Sequence, residues 1–203
     1  MTIVALGVAR RKAGDKLRSI AATIGIGAAS TAPCRGFPRA AGPSMNDLYR
    51  QRFDLDPTLG FHSPLLADLH GYWLKKRGAG AMPRRRDIDP LDPELRPHLG
   101  FVVLTDVVAP ARFRFRLIGS LLAEAVGRDS TGKYLDEVYS PADYERMILA
   151  YRWVVAHRAP LRVTGNLRHA NRAWISMESV DLPLSSDGRG VDMILTRSVL
   201  GTA

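Results

Sequence analysis

Hydrophobic and polar residues alternate strictly over positions 112–118, which read RFRFRLI. This period of two is typical of a strand with one buried face and one exposed face. After Gly119 the apolar residues recur at helical spacing until Gly127, which predicts a short helix ended by a glycine. The pattern therefore predicts a strand, a tight turn and a short helix in immediate succession. The apolar positions of this unit are Phe113, Phe115, Leu117, Leu121, Leu122, Ala125 and Val126.

Two longer stretches have the apolar spacing of amphipathic helices. The first covers 64–77: Ser63 and Pro64 are typical of a helix start, and Gly78 of a helix end. The second begins after Ser140 and ends near His157, before the proline at position 160. The apolar face of the first holds Leu65, Leu66, Leu69, Tyr72 and Trp73, and that of the second holds Tyr144, Met147, Ile148, Tyr151, Val154 and Val155.

The remaining β-rich segments complete the predicted sheet. Positions 101–108 form a continuous run of mostly β-branched residues, and a short turn joins them to 112–118, which predicts an antiparallel hairpin. Three further strands are predicted at 161–168, 174–182 and 191–200, again joined by short turns. Segment 78–100 holds four prolines and is predicted to be an ordered connector without a regular helix.

Several short motifs accompany these predicted elements: Tyr72-Trp73 with Lys76-Arg77, MPRRRDIDP at 82–90, FRFRLIGS at 113–120, and Gly127 with Asp129, Thr131 and Gly132. Together with the order of elements, these motifs resemble the stand-alone bacterial PAS-like proteins. The resemblance implies an α+β fold: a five-stranded antiparallel sheet covered on one face by helices, with an N-terminal amphipathic helix. It also implies a small cavity between the sheet and those helices. The core is then expected at 101–200, after a helix and connector at 45–100.

Net charge adds little to this picture, because most of it lies near the N-terminus. Positions 1–44 hold seven of the 29 basic residues and one of the 20 acidic residues, against a net charge of +9 for the chain. We expect 1–44 to be a disordered leader or a mis-assigned start, with an export signal as the alternative. The rest is a mildly basic globular domain without an apolar run long enough to cross a bilayer. The lone Cys34 excludes an internal disulfide and agrees with a cytoplasmic location.

Few residues suggest a specific chemistry. The three aspartates Asp87, Asp89 and Asp92 lack the glycine and glutamate of a calcium loop and are interpreted as turn caps. A haem would need an axial histidine in the cavity, and the candidate His157 also suits a helix C-terminus. Cys34 lies outside the expected domain, so a cysteine that could bond a flavin is missing from it. The motifs of serine hydrolases, P-loop NTPases and zinc proteases are absent from the sequence, and no enzymatic activity or specific cofactor is predicted.

We therefore predict a sensory or protein-interaction module that can hold a small molecule and signals by association. The expected contact is a homodimer or a partner protein on the apolar face of helix 64–77, formed by Leu66, Leu69 and Trp73. The alternative is nucleic-acid binding by the arginines of 84–86 and 112–116, which neighbouring aspartates make less favourable. A core without a ligand is the competing interpretation of the cavity. The residues expected to line the cavity are Phe113, Phe115, Leu117, Leu122, Val126, Tyr151 and Trp174.

Overall fold

A computed structural model describes residues 53–108, 112–167 and 172–202, without the side chains of 172–174 and 202. The expected leader at 1–44 lies outside the described residues. The fold is α+β, as predicted, with an antiparallel sheet and helices. The strands, in chain order, are β1 (Asp54–Asp56), β2 (Val102–Val108), β3 (Arg112–Ile118), β4 (Leu161–Leu167), β5 (Arg172–Leu184) and β6 (Met193–Thr202).

The sheet has six strands instead of the five expected, in the order β1-β4-β5-β6-β2-β3. The additional strand is β1, which pairs antiparallel with the edge of β4 through Leu55 opposite Val163. Its three residues, Asp-Leu-Asp before Pro57, are too short to show a period, so the hydrophobic pattern could not predict it. The five predicted strands are all present, with the longest pairing between β5 and β6.

Of the four α-helices in the described residues, the short third one was not predicted, and the other three lie close to their predicted positions. The four helices are α1 (Pro64–Arg77), α2 (Ser120–Val126), α3 (Leu135–Val138) and α4 (Pro141–His157). The Ser140 hydroxyl caps α4 by accepting a hydrogen bond from the backbone N–H of Asp143, and Gly127 ends α2 in the left-handed conformation. The proline-rich connector contains two short 3₁₀ helices, Arg85–Asp87 and Arg96–Phe101.

Helices lie on both faces of the sheet. Along β5, side chains alternate between the two faces, so Ser179 faces one side and Glu178 faces the other. Helix α4 packs on β4 and β5 on the side of Ser179. Glu178 accepts hydrogen bonds from the backbone N–H groups of His62 and Ser63, where α1 begins, and α1 packs on β5 and β6. Helix α1 therefore covers the face opposite to α4.

This position of α1 corrects the predicted contact surface. Leu66, Leu69 and Trp73 are completely or almost completely buried inside the chain itself, and Trp73 Nε1 donates a 2.9 Å hydrogen bond to the Pro183 carbonyl. The physical reason is that the second face of the central strands is also apolar, through residues such as Val180 and Leu182, and has to be covered. The apolar face of α1 belongs to the core and is not free to bind a second molecule.

A cavity between the sheet and the covering helices

A cavity of about 90 Å³ lies between the sheet and the helices α2 and α4. Strands β2 to β6 form its floor, and the helices with the loops after them form its walls. Phe53, just before β1, also contributes to the lining. The lining residues are Phe53, Val103, Phe115, Ile118, Leu122, Val126, Arg128, Ser130, Tyr139, Met147, Ala150, Tyr151, Val163, Leu167, Met177, Ser179, Asp181, Thr196 and Ser198.

The floor is polar where β5 and β6 meet. Ser179 and Asp181 on β5 lie beside Ser198 and Thr196 on β6, and each of the four residues is buried. Thr196 Oγ1 donates a 2.6 Å hydrogen bond to Asp181 Oδ1. Ser179 and Ser198 both line the cavity and add hydroxyl groups to this floor. The cavity thus combines apolar walls with a floor that still has hydrogen-bonding capacity.

Asp181 is the one carboxylate among the described residues of the lining. Burial raises the pKa of Asp181 to about 7, and the hydrogen bond from Thr196 offsets only part of that effect. A carboxyl group with this pKa exists in both the neutral and the charged form near pH 7. It can therefore donate a hydrogen bond, accept one, or pair with a cation, depending on what occupies the cavity.

Two buried tyrosines complete the polar part of the site. Burial raises the pKa of the Tyr151 hydroxyl well above its usual range, and this hydroxyl lies close to Thr105 and Thr196. Burial also raises the pKa of Tyr139 to about 12, although the neighbouring Arg128 guanidinium opposes the change. Both tyrosines consequently stay neutral at physiological pH and act as hydrogen-bonding groups, not as charges.

Four of the predicted cavity residues do line the cavity: Phe115, Leu122, Val126 and Tyr151. Phe113 is buried next to it, with its ring 5.3 Å from that of Tyr151, but contributes no surface to it. The side chain of Trp174 lies outside the described residues. The prediction for Leu117 is wrong, because its side chain is 44% exposed and Ile118 lines the cavity instead.

A β-bulge in β3 explains the position of Leu117. Phe115 pairs with Thr105, but the next pair joins Leu117 to Leu104, so β3 contains one extra residue at Arg116. One extra residue moves every later side chain of a strand to the opposite face. The alternation of Phe113 and Phe115 therefore does not continue to Leu117.

The polar floor was not predicted, although the sequence contains a signal for it. Asp181 follows Val180 and precedes Leu182 in an otherwise apolar strand that reads SVDLPL. A lone carboxylate in such a run has to pair with another group, contact solvent or serve a function such as ligand binding. The predicted strand at 174–182 was not assigned a second buried face, so Asp181 was not considered. Both sides of β5 are in fact buried here, since α1 covers one and α4 covers the other.

The arginines of β3 are paired with carboxylates. Arg114 and Arg116 lie 2.8 Å and 3.3 Å from the two oxygens of Asp106, and Arg112 lies 2.9 Å from Asp136. These pairs reduce the positive field that a nucleic-acid backbone would meet on this face. The alternative function predicted from the arginines therefore gains no support from their arrangement.

The other candidate ligand or metal sites considered from the sequence do not lie at the cavity. The ring of His157, the candidate axial ligand for a haem, stacks on Trp153 with the ring centres 4.2 Å apart, away from the lining. Within 53–108, 112–167 and 172–202, no cluster of three metal-ligating side chains is present. In the same ranges, none of the helices has the length and apolar character that a membrane span requires.

Comparison with known proteins agrees with this architecture. No curated protein matches the chain. Among solved structures, an RNA-binding light-oxygen-voltage receptor matches 54% of this chain at 13% identity, with a TM-score of 0.39. The match spans only 34% of that receptor. The family model of the PAS domain matches residues 61–197, which is more than half of the chain and includes α1, strands β2 to β5 and most of the cavity lining. The chain therefore belongs to the PAS domain family.

Proposed function

We propose that this protein is a sensory PAS module whose signal is a small molecule held in the cavity between the sheet and α4. The observation that carries the proposal is the lining: apolar walls surround a buried, polar floor that contains the Asp181 carboxyl group and two serine hydroxyls. This combination is typical of a ligand site, where apolar area supplies affinity and a few polar groups set orientation.

The cost of the cavity also supports a ligand. Protein interiors are normally packed without voids larger than a water molecule. Leaving about 90 Å³ between the sheet and the helices forgoes the packing contacts that larger side chains would make there. Burying Asp181 with one hydroxyl as its partner adds a further cost. A domain built only for stability would fill this space with larger side chains.

The N-terminal segment provides a route from the cavity to the surface. Phe53 lines the cavity and is followed directly by β1. Asp56 of β1 accepts a 3.1 Å hydrogen bond from Arg162, whose Nε donates a 2.6 Å hydrogen bond to Glu178. Glu178 in turn binds the start of α1. A ligand that moves Phe53 would thereby disturb β1 and the attachment of α1, and so alter association with a second copy or a partner protein.

A pair of variants on one helix tests the proposal. Ala150 lines the cavity from α4, and Ala142 is exposed on the same helix, so Ala150→Leu fills the cavity while Ala142→Leu is a matched control. We expect small-molecule fragments to shift the backbone amide NMR signals of lining residues in the natural chain and in Ala142→Leu, but not in Ala150→Leu. Equal shifts in all three proteins, or shifts confined to residues outside the cavity, would contradict the proposal.

Nucleic-acid binding remains the second prediction from the sequence, and no contact described above favours it. Retardation of RNA or DNA by the full chain that weakens steeply with salt would revive it. Retardation lost on replacing Arg84, Arg85 and Arg86 with alanine would place the contact on the connector.

A further inference from the structure

We propose that the cavity selects small organic cations, namely compact aliphatic amines whose ammonium group pairs with Asp181 while the hydrocarbon part contacts the apolar walls. This inference rests on the proposed function, because it names the ligand class of the same site.

The geometry of Asp181 provides the first argument. Its carboxylate lies on the floor of the cavity, where Thr196 Oγ1 donates to Oδ1 at 2.6 Å. This hydrogen bond reaches Oδ1 alone and leaves Oδ2 without a bond from Thr196. One oxygen of a buried carboxylate is therefore still available, and the serine hydroxyls of Ser179 and Ser198 lie on the same floor. An ammonium group, with three donors and no acceptor, matches such a set of acceptors.

The charges around Asp181 provide the second argument. Thr196 faces it from β6, and Tyr151 faces it from α4 as a neutral phenol. Tyr139 is likewise neutral, and Arg128 is an exposed cation on the loop after α2 that contacts the Tyr139 ring. No cation among the described lining residues is buried with the carboxylate. A ligand cation would thus supply the charge partner that a buried carboxylate requires.

Size limits the hydrocarbon part of the ligand. A cavity of about 90 Å³ is smaller than the ~150 Å³ apolar cavity that accommodates benzene. Haem, flavin and nucleotides need sites several times larger. The space therefore limits the ligand to a short hydrocarbon chain with one amino group. Phe115, Leu122 and Val126 would surround such a chain, and Met147 and Ala150 of α4 would cover it.

The pairing predicts a dependence on pH. Aliphatic amines are fully protonated below about pH 9, so their charge is constant between pH 6 and 8. Burial raises the pKa of Asp181 to about 7, so its charged fraction increases about tenfold over that range. The affinity for an amine should increase with pH by the same factor. The affinity for an uncharged molecule of the same shape should not increase.

Isobutylamine and isobutanol are matched probes, because they differ mainly in charge. We would titrate both into the full chain, and into Asp181→Asn, at pH 6 and pH 8 and follow amide NMR shifts of lining residues. We expect isobutylamine to bind at least tenfold more tightly than isobutanol at pH 8. That advantage should fall about tenfold at pH 6. It should disappear in Asp181→Asn, whose amide can still accept the Thr196 hydrogen bond.

The titrations distinguish a failure of cation selection from a failure of the cavity as a ligand site. Equal affinity of the two probes at both pH values would overturn the selection of cations while supporting the cavity as a ligand site. Absence of binding by either probe, in the natural chain at both pH values, would count against the ligand class and the proposed function together. If Asp181→Asn does not fold, the pH dependence in the natural chain alone decides the question.

Discussion

Thr196 and Asp181 are direct partners across β5 and β6, and the Thr196 hydroxyl donates a 2.6 Å hydrogen bond to the Asp181 carboxylate. Both side chains are buried on the floor of the cavity. The hydrogen bond does not compensate for burial, since the pKa of Asp181 is raised to about 7. The chain therefore retains a carboxyl group that destabilises the fold near neutral pH, as expected for a residue kept for function.

This carboxyl group should make stability depend on pH. The pKa of Asp181 is about 7 in the folded chain and near 3.8 otherwise, so between these values the folded state holds a proton that the unfolded state has lost. Stability then decreases as the pH increases from about 4 to 7, by roughly 3 kcal/mol for this group alone. Relative to the natural chain, Asp181→Asn should gain about that free energy of unfolding between pH 4.5 and pH 8 in urea titrations. A difference that stays constant over this range would contradict the raised pKa.

Because of the bulge in β3, truncating two apolar residues of this strand should affect stability very differently. Phe113 is buried against Tyr151, so Phe113→Ala should lower the free energy of unfolding by about 3–5 kcal/mol. Leu117 is exposed, so Leu117→Ala should change it by less than about 0.5 kcal/mol. Chemical denaturation of both variants measures the contrast. Comparable losses would mean that the strand continues its alternation without a bulge.

Helix α1 should contribute to the stability of a single chain and not to an interface. Leu69 is fully buried against the sheet, so Leu69→Ala should cost about 2–5 kcal/mol. Because the contact lies within one chain, this loss should be the same at every protein concentration. A loss that grows as the protein is diluted would restore the contact surface predicted from the sequence. Leu65→Ala, on the exposed side of the same helix, is the control.

Arg162 should hold the N-terminal segment to the sheet. It is buried, donates hydrogen bonds to Asp56 and Glu178, and its Nη2 lies 2.8 Å from His62 Nδ1. Arg162→Met would leave two carboxylates without their cation, at a cost of about 3–5 kcal/mol. We expect the backbone amides of His62 and Ser63, which donate to Glu178, to exchange hydrogen much faster in this variant. Unchanged exchange would mean that the network does not hold the segment.

Replacing Arg197 should stabilise the fold, whereas replacing Arg162 should destabilise it. Its side chain is 4% exposed, and its guanidinium lies 5.0 Å from the Phe101 ring. Nε has no hydrogen-bond partner in the part of the chain that the structure describes, and burial lowers the pKa of the guanidinium. Replacing such a cation with an apolar side chain of similar length removes a desolvation cost. Arg197→Met should raise the free energy of unfolding by about 1 kcal/mol. A decrease of that size would mean that the hydrogen bond from Nη1 to the Ser198 carbonyl and the contact with Phe101 outweigh the desolvation cost.

Much of the fold was predictable, because its helices and most of its strands show a clear repeat of apolar residues along the sequence. The predicted helix at 64–77 and the predicted start of α4 after Ser140 agree with the structure. These helices carry long amphipathic patterns and strong start and stop residues. The resemblance of motifs such as FRFRLIGS at 113–120 led to the family that residues 61–197 match.

The site was predicted only in part, because it depends on structural features that hydrophobic periodicity does not reveal. A single inserted residue at Arg116 reversed the direction of Leu117. The apolar face of α1 was recognised, but the pattern does not say whether a face binds its own chain or another one. Asp181 was missed because a polar residue facing inward contradicts the rule by which strands are assigned their buried side.

The most direct measurement is the titration of the Asp181 carboxyl carbon by NMR in the full chain, with the signal assigned by its loss in Asp181→Asn. We expect a pKa of about 7 for Asp181 in the chain without added ligand. We expect a lower pKa when isobutylamine is added, because a bound ammonium favours the charged carboxylate. An ordinary pKa near 4 that isobutylamine leaves unchanged would contradict both the raised pKa of Asp181 and its pairing with an amine.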